Sequence, residues 1–452
     1  MTGSGTSHVR WFLIFCLFML SVVAFLDRVN ISIAGASLAE AYHLSNIQLG
    51  WVFSSFLAGY ALFQTPDGRL VDRLGPRKVL AGGVIWWGVF TALTAAVPPG
   101  IRGALLLFLS IRFLLGAGEA VMYPASNRFV ARWIPTHERG IANGWIFAGV
   151  GAGAGLTPPL ITYLMLHYGW RSSFWLCAAL GLLAGLVWFV VARDTPEEHS
   201  GVSASELAHI RAGLSVDKSG SRENKLIPWK TVLKSRDVLA ITLSYFSFGY
   251  VAWIFFSWFY IYLAQVRGLN LKASAFYAML PFLAMAACCP IGGFISDRLT
   301  RSHGPRMGRC YLAAVVLALA SFFLVFGVKV DSARLASMVL AGGAGALYLA
   351  QSSFWSVTAD LASSSSGSVS GFMNMGAQIG GAVTASLTPA IAARFGWTAS
   401  FLVAAGLCFL GALAWMVVDP TRTLQASPHP AADIIGATQT LHSSLLNTKA
   451  GS

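Results

Sequence analysis

The chain has 452 residues, of which 56% are hydrophobic and only 11% are charged, and its mean hydropathy is +0.65. Soluble domains carry about 25% charged residues, so this composition excludes a soluble enzyme, a disordered scaffold and a disulfide-stapled secreted domain. The net charge of +13 is compatible with nucleic-acid binding, but the Lys and Arg residues lie in short connections between apolar runs rather than in one basic stripe. We therefore predict an all-α membrane protein without a nucleic-acid partner.

Twelve apolar runs follow one another along the chain, each close to or above the roughly 20 residues that a membrane helix needs. A polar stretch separates the first six runs from the last six, and a polar tail follows. We predict an N-terminal six-helix half over 1–192, a cytoplasmic central loop over 193–237, a C-terminal six-helix half over 238–420 and a disordered cytoplasmic tail over 421–452. The runs cover about 11–34, 47–66, 79–97, 103–125, 141–166, 173–192, 238–265, 273–295, 310–328, 335–358, 369–393 and 397–418.

The basic residues indicate the orientation of the predicted bundle. Of the 31 Lys and Arg residues, 22 lie in the two terminal segments and in the connections on the same side, 7 lie in the connections on the other side, and 2 lie within helices. Because Lys and Arg are enriched in cytoplasmic loops, we predict that both termini are cytoplasmic. The predicted location is the inner or plasma membrane of the cell, with the lipid bilayer as a partner.

The two halves of the chain repeat each other. At an offset of 225, Gly68 to Arg73 matches Gly293 to Arg298, and at an offset of 227 ten identities fall in two helices and their connection. Two homologous halves of parallel topology are the plan of a secondary transporter with its site at the midplane. The ten pairs are Gly140/Gly367, Gly144/Gly371, Gly149/Gly376, Gly153/Gly380, Thr157/Thr384, Gly169/Gly396, Trp170/Trp397, Ser173/Ser400, Phe174/Phe401 and Trp188/Trp415.

The segment from Gly68 to Lys78 resembles the loop 2–3 signature of the major facilitator superfamily, and Gly293 to Arg298 resembles its degenerate second copy. Four further segments resemble the anion:cation symporter family, which includes hexuronate, galactonate and glucarate transporters and the sialin-like carriers. The resemblance extends from about Arg10 to Pro420 and implies twelve transmembrane helices in two pseudo-symmetric halves. The four segments are Phe25–Asn30, Gly59–Gln64, Arg112–Glu119 and Glu138–Gly140.

Four charged residues lie inside predicted helices, where an ionised side chain costs several kcal/mol. The repeat positions of Arg112 and Glu119 are Val339 and Ala346, and the seventh helix has no charge at all. Because the second half folds without these charges, function explains them better than a structural ion pair does. The four residues are Asp27, Arg28, Arg112 and Glu119.

We predict that Arg28 binds a substrate carboxylate, because a guanidinium stays charged in a low dielectric and can hold a carboxylate by two parallel hydrogen bonds. Asp27 and Glu119 are the predicted proton acceptors, since desolvation favours the protonated carboxyl group. Release of Arg112 from Glu119 on substrate binding would let Glu119 take up a proton. The family resemblance implies the same four roles. A fixed structural partnership of Asp27 with a neighbouring helix stays open.

Polar residues on other helices complete the predicted substrate site. Tyr60 and Gln64 are four residues apart, so they share a helix face and can hydrogen-bond sugar hydroxyls. The resemblance implies sugar-acid contacts at Tyr60, at Asn374 and in the Ser/Trp region of the tenth helix. Such residues also serve as ordinary hydrogen-bonding contacts between membrane helices, and both interpretations stay open. The predicted contacts besides Arg28 are Tyr60, Gln64, Ser352, Trp355, Asn374 and Gln378.

The two copies of the loop 2–3 signature are predicted to form a cytoplasmic gate through ion pairs and helix-dipole contacts. The resemblance implies that this gate stabilises the outward-facing state, while a role in topology alone stays open. Asp67, where the family commonly has a small residue, has no assigned role. The predicted gate residues are Gly68, Asp72, Arg73, Gly75, Arg77, Lys78, Asp297 and Arg298.

These observations favour a proton-coupled symporter for a small organic anion, in particular a sugar acid such as a hexonate, hexuronate or glucarate, that works by alternating access. The alternative is a proton-coupled antiporter that exports drugs or metabolites, and two intramembrane arginines disfavour it for hydrophobic cations. The sequence shows no metal-ligand cluster, nucleophile elbow or phosphate loop, so no enzyme activity, metal or cofactor other than the coupling H⁺ is predicted. We expect a monomer.

Overall fold

The computed structural model describes residues 7–214, 226–259, 262–269 and 271–424. These residues form helices and connections without a strand. The α-helices are α1 (Val9–Ala41), α2 (Asn46–Leu74), α3 (Pro76–Ala96), α4 (Ala104–Glu119), α5 (Met122–Trp133), α6 (Arg139–Tyr168), α7 (Trp170–Val191), α8 (Ala204–Gly213), α9 (Trp229–Lys234), α10 (Arg236–Ser257), α11 (Leu271–His303), α12 (Leu312–Lys329), α13 (Ala333–Leu349), α14 (Gln351–Leu361), α15 (Ser366–Phe395) and α16 (Trp397–Ala414).

The helices make twelve crossings, as predicted. α4 and α5 together form the fourth crossing, α13 and α14 form the tenth, and α8 and α9 belong to the central loop. Ten helical stretches of the described chain are each long and apolar enough to span a membrane. The crossings that fall short of this criterion are α2 and α15, which carry polar residues and pack against each other between the two halves.

The halves meet along two helix pairs that are related by the internal repeat. α2 of the first half packs against α15 of the second, and α6 of the first packs against α11 of the second. A Cβ atom on Gly68 would lie 2.2 Å from the carbonyl oxygen of Gly367, and one on Gly293 would lie 2.2 Å from that of Gly140. The repeated glycines therefore mark two equivalent points where backbones touch, which only a residue without a side chain permits.

The α2–α3 connection is a single glycine. Gly75 has φ 89°, a left-handed value that favours glycine, and Pro76 follows it at the first position of α3. We call the end of the bundle that carries this connection the basic end. It also carries the α5–α6, α7–α10, α11–α12 and α14–α15 connections.

The central loop contains more helix than its composition indicates. α7 ends at Val191, α10 begins at Arg236, and the segment between them includes α8 and α9. α8 is held to the first half because Ile210 is buried and Glu206 caps α1, accepting hydrogen bonds from the backbone N–H groups of Val9 and Arg10 at 3.1 Å each. Residues 215–225 of the predicted loop and 425–452 of the predicted tail lie outside the described residues.

Candidate functional site

The four charged residues predicted from the sequence come together inside the first half. Glu119 at the end of α4 accepts hydrogen bonds on Oε1 from Nη2 and Nε of Arg28, at 2.6 and 3.1 Å. This pair joins α1 to α4. The sequence predicted that Arg112 would be the partner of Glu119, so the structure places Arg28 where Arg112 was expected.

Asp27 and Arg112 form the other half of this charge cluster. Asp27 is 1% exposed and accepts a hydrogen bond from Thr91 Oγ1 of α3 at 2.7 Å. Arg112 is also 1% exposed and interacts electrostatically with Asp27. Its Nε and Nη1 atoms, and Oδ1 of Asp27, have no hydrogen-bond partner among the described residues. The adjacent residues Asp27 and Arg28 therefore point to different neighbours, as their 100° separation on a helix requires.

Aromatic rings surround the two guanidinium groups. The guanidinium carbon of Arg28 lies 4.5 Å from the ring centroid of Tyr60 and 4.6 Å from that of Phe25, and Phe56 lies within 5.3 Å of Arg28 and 4.9 Å of Arg112. A ring face attracts a cation and does not compete for its N–H groups. The rings thus stabilise both charges and leave the donors of the guanidinium groups available to an acceptor.

The second half supplies the opposite wall. Asn374 Nδ2 on α15 donates to Gln64 Oε1 on α2 at 2.9 Å, and Gln64 Nε2 donates to the carbonyl of Ala120 at 3.1 Å. The indole of Trp355 on α14 lies 5.8 Å from the ring of Tyr123 in the first half. Its Nε1 donates to Tyr245 Oη on α10 at 3.0 Å. Three of the predicted substrate contacts, Gln64, Trp355 and Asn374, thus lie where the halves meet.

Several buried polar atoms in this region lack a hydrogen-bond partner within the described chain. Leaving such an atom unpaired costs about 1–3 kcal/mol, so an unpaired set favours a polar ligand or water at the site. Ser352 is fully buried and Gln378 is partly buried. The unpaired atoms are Glu119 Oε2, Tyr250 Oη, Gln351 Oε1, Ser352 Oγ and Gln378 Oε1.

At the basic end, two aspartates of the repeated signature bind helix N-termini of the opposite half. Asp72 accepts hydrogen bonds from the backbone N–H groups of Gly367 and Ser368, in the first turn of α15, at 3.0 and 2.7 Å. Asp297 accepts hydrogen bonds from the backbone N–H groups of Gly140 and Ile141, in the first turn of α6, at 2.9 and 2.6 Å. A carboxylate at a helix N-terminus satisfies free N–H groups and is favoured by the helix dipole.

Buried ion pairs that the sequence did not predict reinforce this end. Arg139 Nη1 lies 2.5 Å from Asp360 Oδ1 of the second half, Arg128 Nε lies 3.5 Å from Asp72, and Arg309 Nη1 lies 2.8 Å from Asp297. The sequence indicated Asp72 and Asp297 as gate residues and Arg139 through the Glu138-Arg139-Gly140 motif, but not which residues pair with them.

Among the predicted gate residues, Gly68 touches the second half, but the basic ones form no ion pair between the halves within the described chain. Arg73, Lys78 and Arg298 are exposed. Arg77 bonds within the first half, through its backbone N–H to Asp194 at 2.9 Å and through its Nε to the carbonyl of Phe189 at 3.0 Å. The signature's acidic residues, rather than its basic residues, therefore make the contacts across the bundle.

Sequence reasoning also missed neutral residues of the site. Three of them, Thr91, Tyr123 and Tyr245, hydrogen-bond or pack against a predicted site residue, and Gln351 contacts Tyr245. Gln351 Nε2 donates to Tyr245 Oη at 2.9 Å. A single polar or aromatic residue in an apolar helix is common, so only the adjacent Gln351 and Ser352 offered a visible polar signal.

Comparison with known proteins identifies the family. The Major Facilitator Superfamily model matches residues 17–385 and again 358–449. A probable sulfoacetate transporter of Cupriavidus necator is 31% identical over 92% of this chain and 95% of its own. A probable galactarate/D-glucarate transporter of Escherichia coli K12 is 30% identical over 84% of this chain and 86% of its own. These relatives are consistent with the anion:cation symporter family.

A solved structure supports the same fold. The proton:xylose symporter XylE, bound to 6-bromo-6-deoxy-D-glucose, superposes with a TM-score of 0.71 over 93% of this chain and 98% of that chain, at 16% identity. The family and the named relatives make the protein a transporter and not an enzyme. The chain belongs to the Major Facilitator Superfamily, as a multi-pass membrane protein whose described helices make twelve crossings in two halves.

Proposed function

We propose that this protein is a proton-coupled symporter for a small organic anion, and that the anion is a sugar acid such as a hexonate, hexuronate or glucarate. The observation that carries the proposal is the buried Arg28–Glu119 pair inside the first half. Glu119 holds two N–H groups of Arg28 through a single oxygen. A substrate carboxylate has the same charge and shape, so it can take the place of Glu119 on Arg28.

Charge balance couples this exchange to a proton. Arg28 and Arg112 carry two positive charges, and Asp27 and Glu119 carry two negative charges when ionised. A carboxylate that enters this cluster adds an unbalanced negative charge, which is costly in a buried site. Protonation of Glu119 on its release from Arg28, or of Asp27, restores the balance. The partner exchanged in this mechanism is Arg28 rather than Arg112.

The neutral part of the site suits a polyhydroxylated chain. Ser352 Oγ and Gln378 Oε1 are free to bond hydroxyl groups. Gln64 and Asn374 can exchange their mutual bond for substrate hydroxyls, and Trp355 offers an apolar face. The names of the galactarate/D-glucarate and sulfoacetate relatives, both organic anions, support the same substrate class.

We also propose that the basic end faces the cytoplasm of a cell that holds the protein, as a monomer, in its inner or plasma membrane. The excess of Lys and Arg at this end supports that orientation. The paired contacts of Asp72 and Asp297 support a role for this end as the cytoplasmic gate. Alternating access then requires these contacts to break once per cycle.

Counterflow in proteoliposomes tests the proposal. The purified chain is reconstituted and loaded with an unlabelled sugar acid, and uptake of labelled glucarate, galactonate, glucuronate or sulfoacetate is followed with and without a pH gradient. We expect counterflow of at least one carboxylate and its accumulation when the outside is acidic. Absence of transport of every carboxylate, or export of hydrophobic cations instead, would overturn the proposal.

A further inference from the structure

Two histidines and a glutamate meet at the basic end, away from the charge cluster of the bundle. His137 and Glu138 lie in the short α5–α6 connection, and His209 lies on α8 of the central loop. One ligand atom from each residue falls within 4.8 Å of the other two. We propose that these three side chains form a binding site for a divalent transition-metal ion of the Zn²⁺ class.

The donor atoms and their spacing support this assignment. Two imidazole nitrogens and one carboxylate oxygen are a common ligand set for Zn²⁺, with bonds of about 2.0–2.2 Å and neighbouring ligand atoms about 3.4 Å apart. His209 Nε2 lies 2.7 Å and His137 Nε2 lies 3.8 Å from Glu138 Oε1. These separations lie on either side of the tetrahedral value, so small side-chain rotations bring both nitrogens into range.

The surroundings hold the glutamate and leave the site accessible. Arg10 Nε binds the other oxygen of Glu138, Oε2, at 3.1 Å and so orients the carboxylate with Oε1 toward the histidines. The charge of Arg10 is compensated by the buried Glu206, 3.1 Å away. The side chains of His137 and His209 are 34% and 43% exposed, so an ion and a completing water molecule can reach them.

The site is preorganised because both of its elements are anchored. On α8, Ile210 is buried in the core beside His209, and Glu206 caps α1 one turn earlier. On the α5–α6 connection, Pro135 packs against Gly213 of α8. The sequence showed no ligand spacing here, since His209 is 71 residues from Glu138 and only the fold brings them together.

The position of the site links it to the contact between the halves. Thr136, just before His137, accepts a hydrogen bond on its carbonyl from Arg309 of the second half at 2.7 Å. Arg139, just after Glu138, pairs with Asp360 of the second half. A bound ion clamps α8 to the connection from which both contacts depart. Metal binding therefore stabilises the closed basic end and slows any cycle that must open it.

Zinc binding to the full-length protein tests the site directly. Metal-free protein without a polyhistidine tag is titrated with ZnCl₂ by calorimetry in detergent, beside the double variant His137→Gln/His209→Gln and the control His303→Gln, an exposed histidine on α11. We expect the double variant to lose at least about tenfold in affinity and the control to match the wild type. His209→Cys, which supplies a thiolate ligand, should retain zinc binding.

Zinc should also raise the thermal midpoint of the wild type and of His303→Gln, but not that of the double variant, because a ligand stabilises the state it binds. The slowing of transport by zinc rests on the proposed function, whereas the two binding measurements do not. Equal zinc affinity in wild type and double variant, or no saturable binding at all, overturns the site whatever the transport assay shows. Binding without slowed counterflow overturns the link to the closed end.

Discussion

A single oxygen of Glu119 receives both hydrogen bonds from Arg28, while the other, Oε2, is buried with no hydrogen-bond partner within the described chain. This arrangement suits the replacement of Glu119 by a substrate carboxylate on Arg28. The carboxylate satisfies Arg28 in the absence of substrate, and its free oxygen can take a proton once Arg28 turns to a ligand. At the scale of residues, the transport cycle is then a competition of two carboxylates for the same guanidinium.

Glu119→Gln should separate exchange of the substrate across the membrane from its coupling to protons. The amide keeps the shape of the side chain but cannot bind or release a proton, so counterflow of the sugar acid should persist while uptake driven by a pH gradient is lost. Both are measured in proteoliposomes, with Glu40→Gln, an exposed glutamate near the end of α1, as the matched control. Uphill uptake by Glu119→Gln at the wild-type rate would contradict the role of Glu119.

Arg28→Lys should weaken substrate binding even though the positive charge is kept. A lysine ammonium cannot present two parallel N–H groups to a carboxylate, and the loss of one charge-assisted hydrogen bond, about 1.5–3 kcal/mol, predicts roughly a tenfold to hundredfold weaker affinity. Ligand-induced thermal shift measures the affinity, and the exposed Arg298→Lys serves as the control. An unchanged affinity would show that the anion binds elsewhere, for instance at Arg112.

At the scale of elements, α8 is the part of the central loop that is built into the bundle. Glu206 accepts hydrogen bonds from the backbone N–H groups of Val9 and Arg10 in the first turn of α1, and from the hydroxyl of Ser7 just before it at 2.5 Å. Burial acts to raise the pKa of Glu206, but these hydrogen bonds outweigh it and hold the pKa below its ordinary value of 4.5. The N-terminus of α1 and the central loop therefore form one connected layer beneath the first half.

Glu206→Gln should loosen this layer, because the amide cannot replace a charged acceptor shared by several donors. Hydrogen exchange measured by mass spectrometry should become faster in peptides covering residues 204–213 and in the first turn of α1, with the exposed Glu198→Gln as the control. Unchanged exchange in both segments would show that the other contacts of α8, such as that of Ile210, anchor it without Glu206.

The same pKa shift fixes the pH dependence of this layer. The pKa of Glu206 is lower in the folded protein than in the unfolded chain. The contribution of Glu206 to stability is therefore complete when the pH is above the pKa of the unfolded chain, and it is lost as the pH falls through the pKa of the folded protein. The protection of the α8 amides in the wild type, with exchange corrected for its intrinsic pH dependence, should therefore change little between neutral pH and pH 4.5, the ordinary pKa, and fall only below it.

At the scale of the whole molecule, closure of the basic end follows the symmetry of the repeat. Each half contributes one aspartate, Asp72 or Asp297, and one helix N-terminus, that of α6 or of α15. The ion pairs around them are not symmetric, since the repeat position of Arg139 is Ser366 and that of Asp360 is Trp133. The symmetric carboxylate contacts position the halves, and the unsymmetric ion pairs add to their closure.

Asp72→Asn should open this end more often. The variant removes the charge from bonds worth about 1.5–3 kcal/mol each, so the amides at the start of α15, residues 366–370, should exchange roughly tenfold or more faster. Asp297→Asn should act in the same way on residues 139–143. Asp67→Asn, a partly buried acid on the same helix as Asp72, is the control, and equal exchange in Asp72→Asn and the control would contradict the proposed gate.

Much of the fold could be predicted from the sequence. Apolar runs of membrane length, the offset repeat and the distribution of Lys and Arg are properties of the chain itself, because the bilayer imposes a length and a polarity on each helix separately. The same physics exposed Asp27, Arg28, Arg112 and Glu119, since a charge in an apolar run is visible without knowledge of its neighbours.

The partners of those charges depended on tertiary structure. Glu119 lies seven residues from Arg112 on one helix face, yet the fold brings Arg28 of α1 to it instead. Likewise, Asp360 and His209 carry no local signal, and only the fold joins them to Arg139 and Glu138. The sequence by itself determined which segments enter the membrane and which charges enter with them. The tertiary structure decided which opposite charges meet, because contact depends on the crossing of helices far apart in the chain.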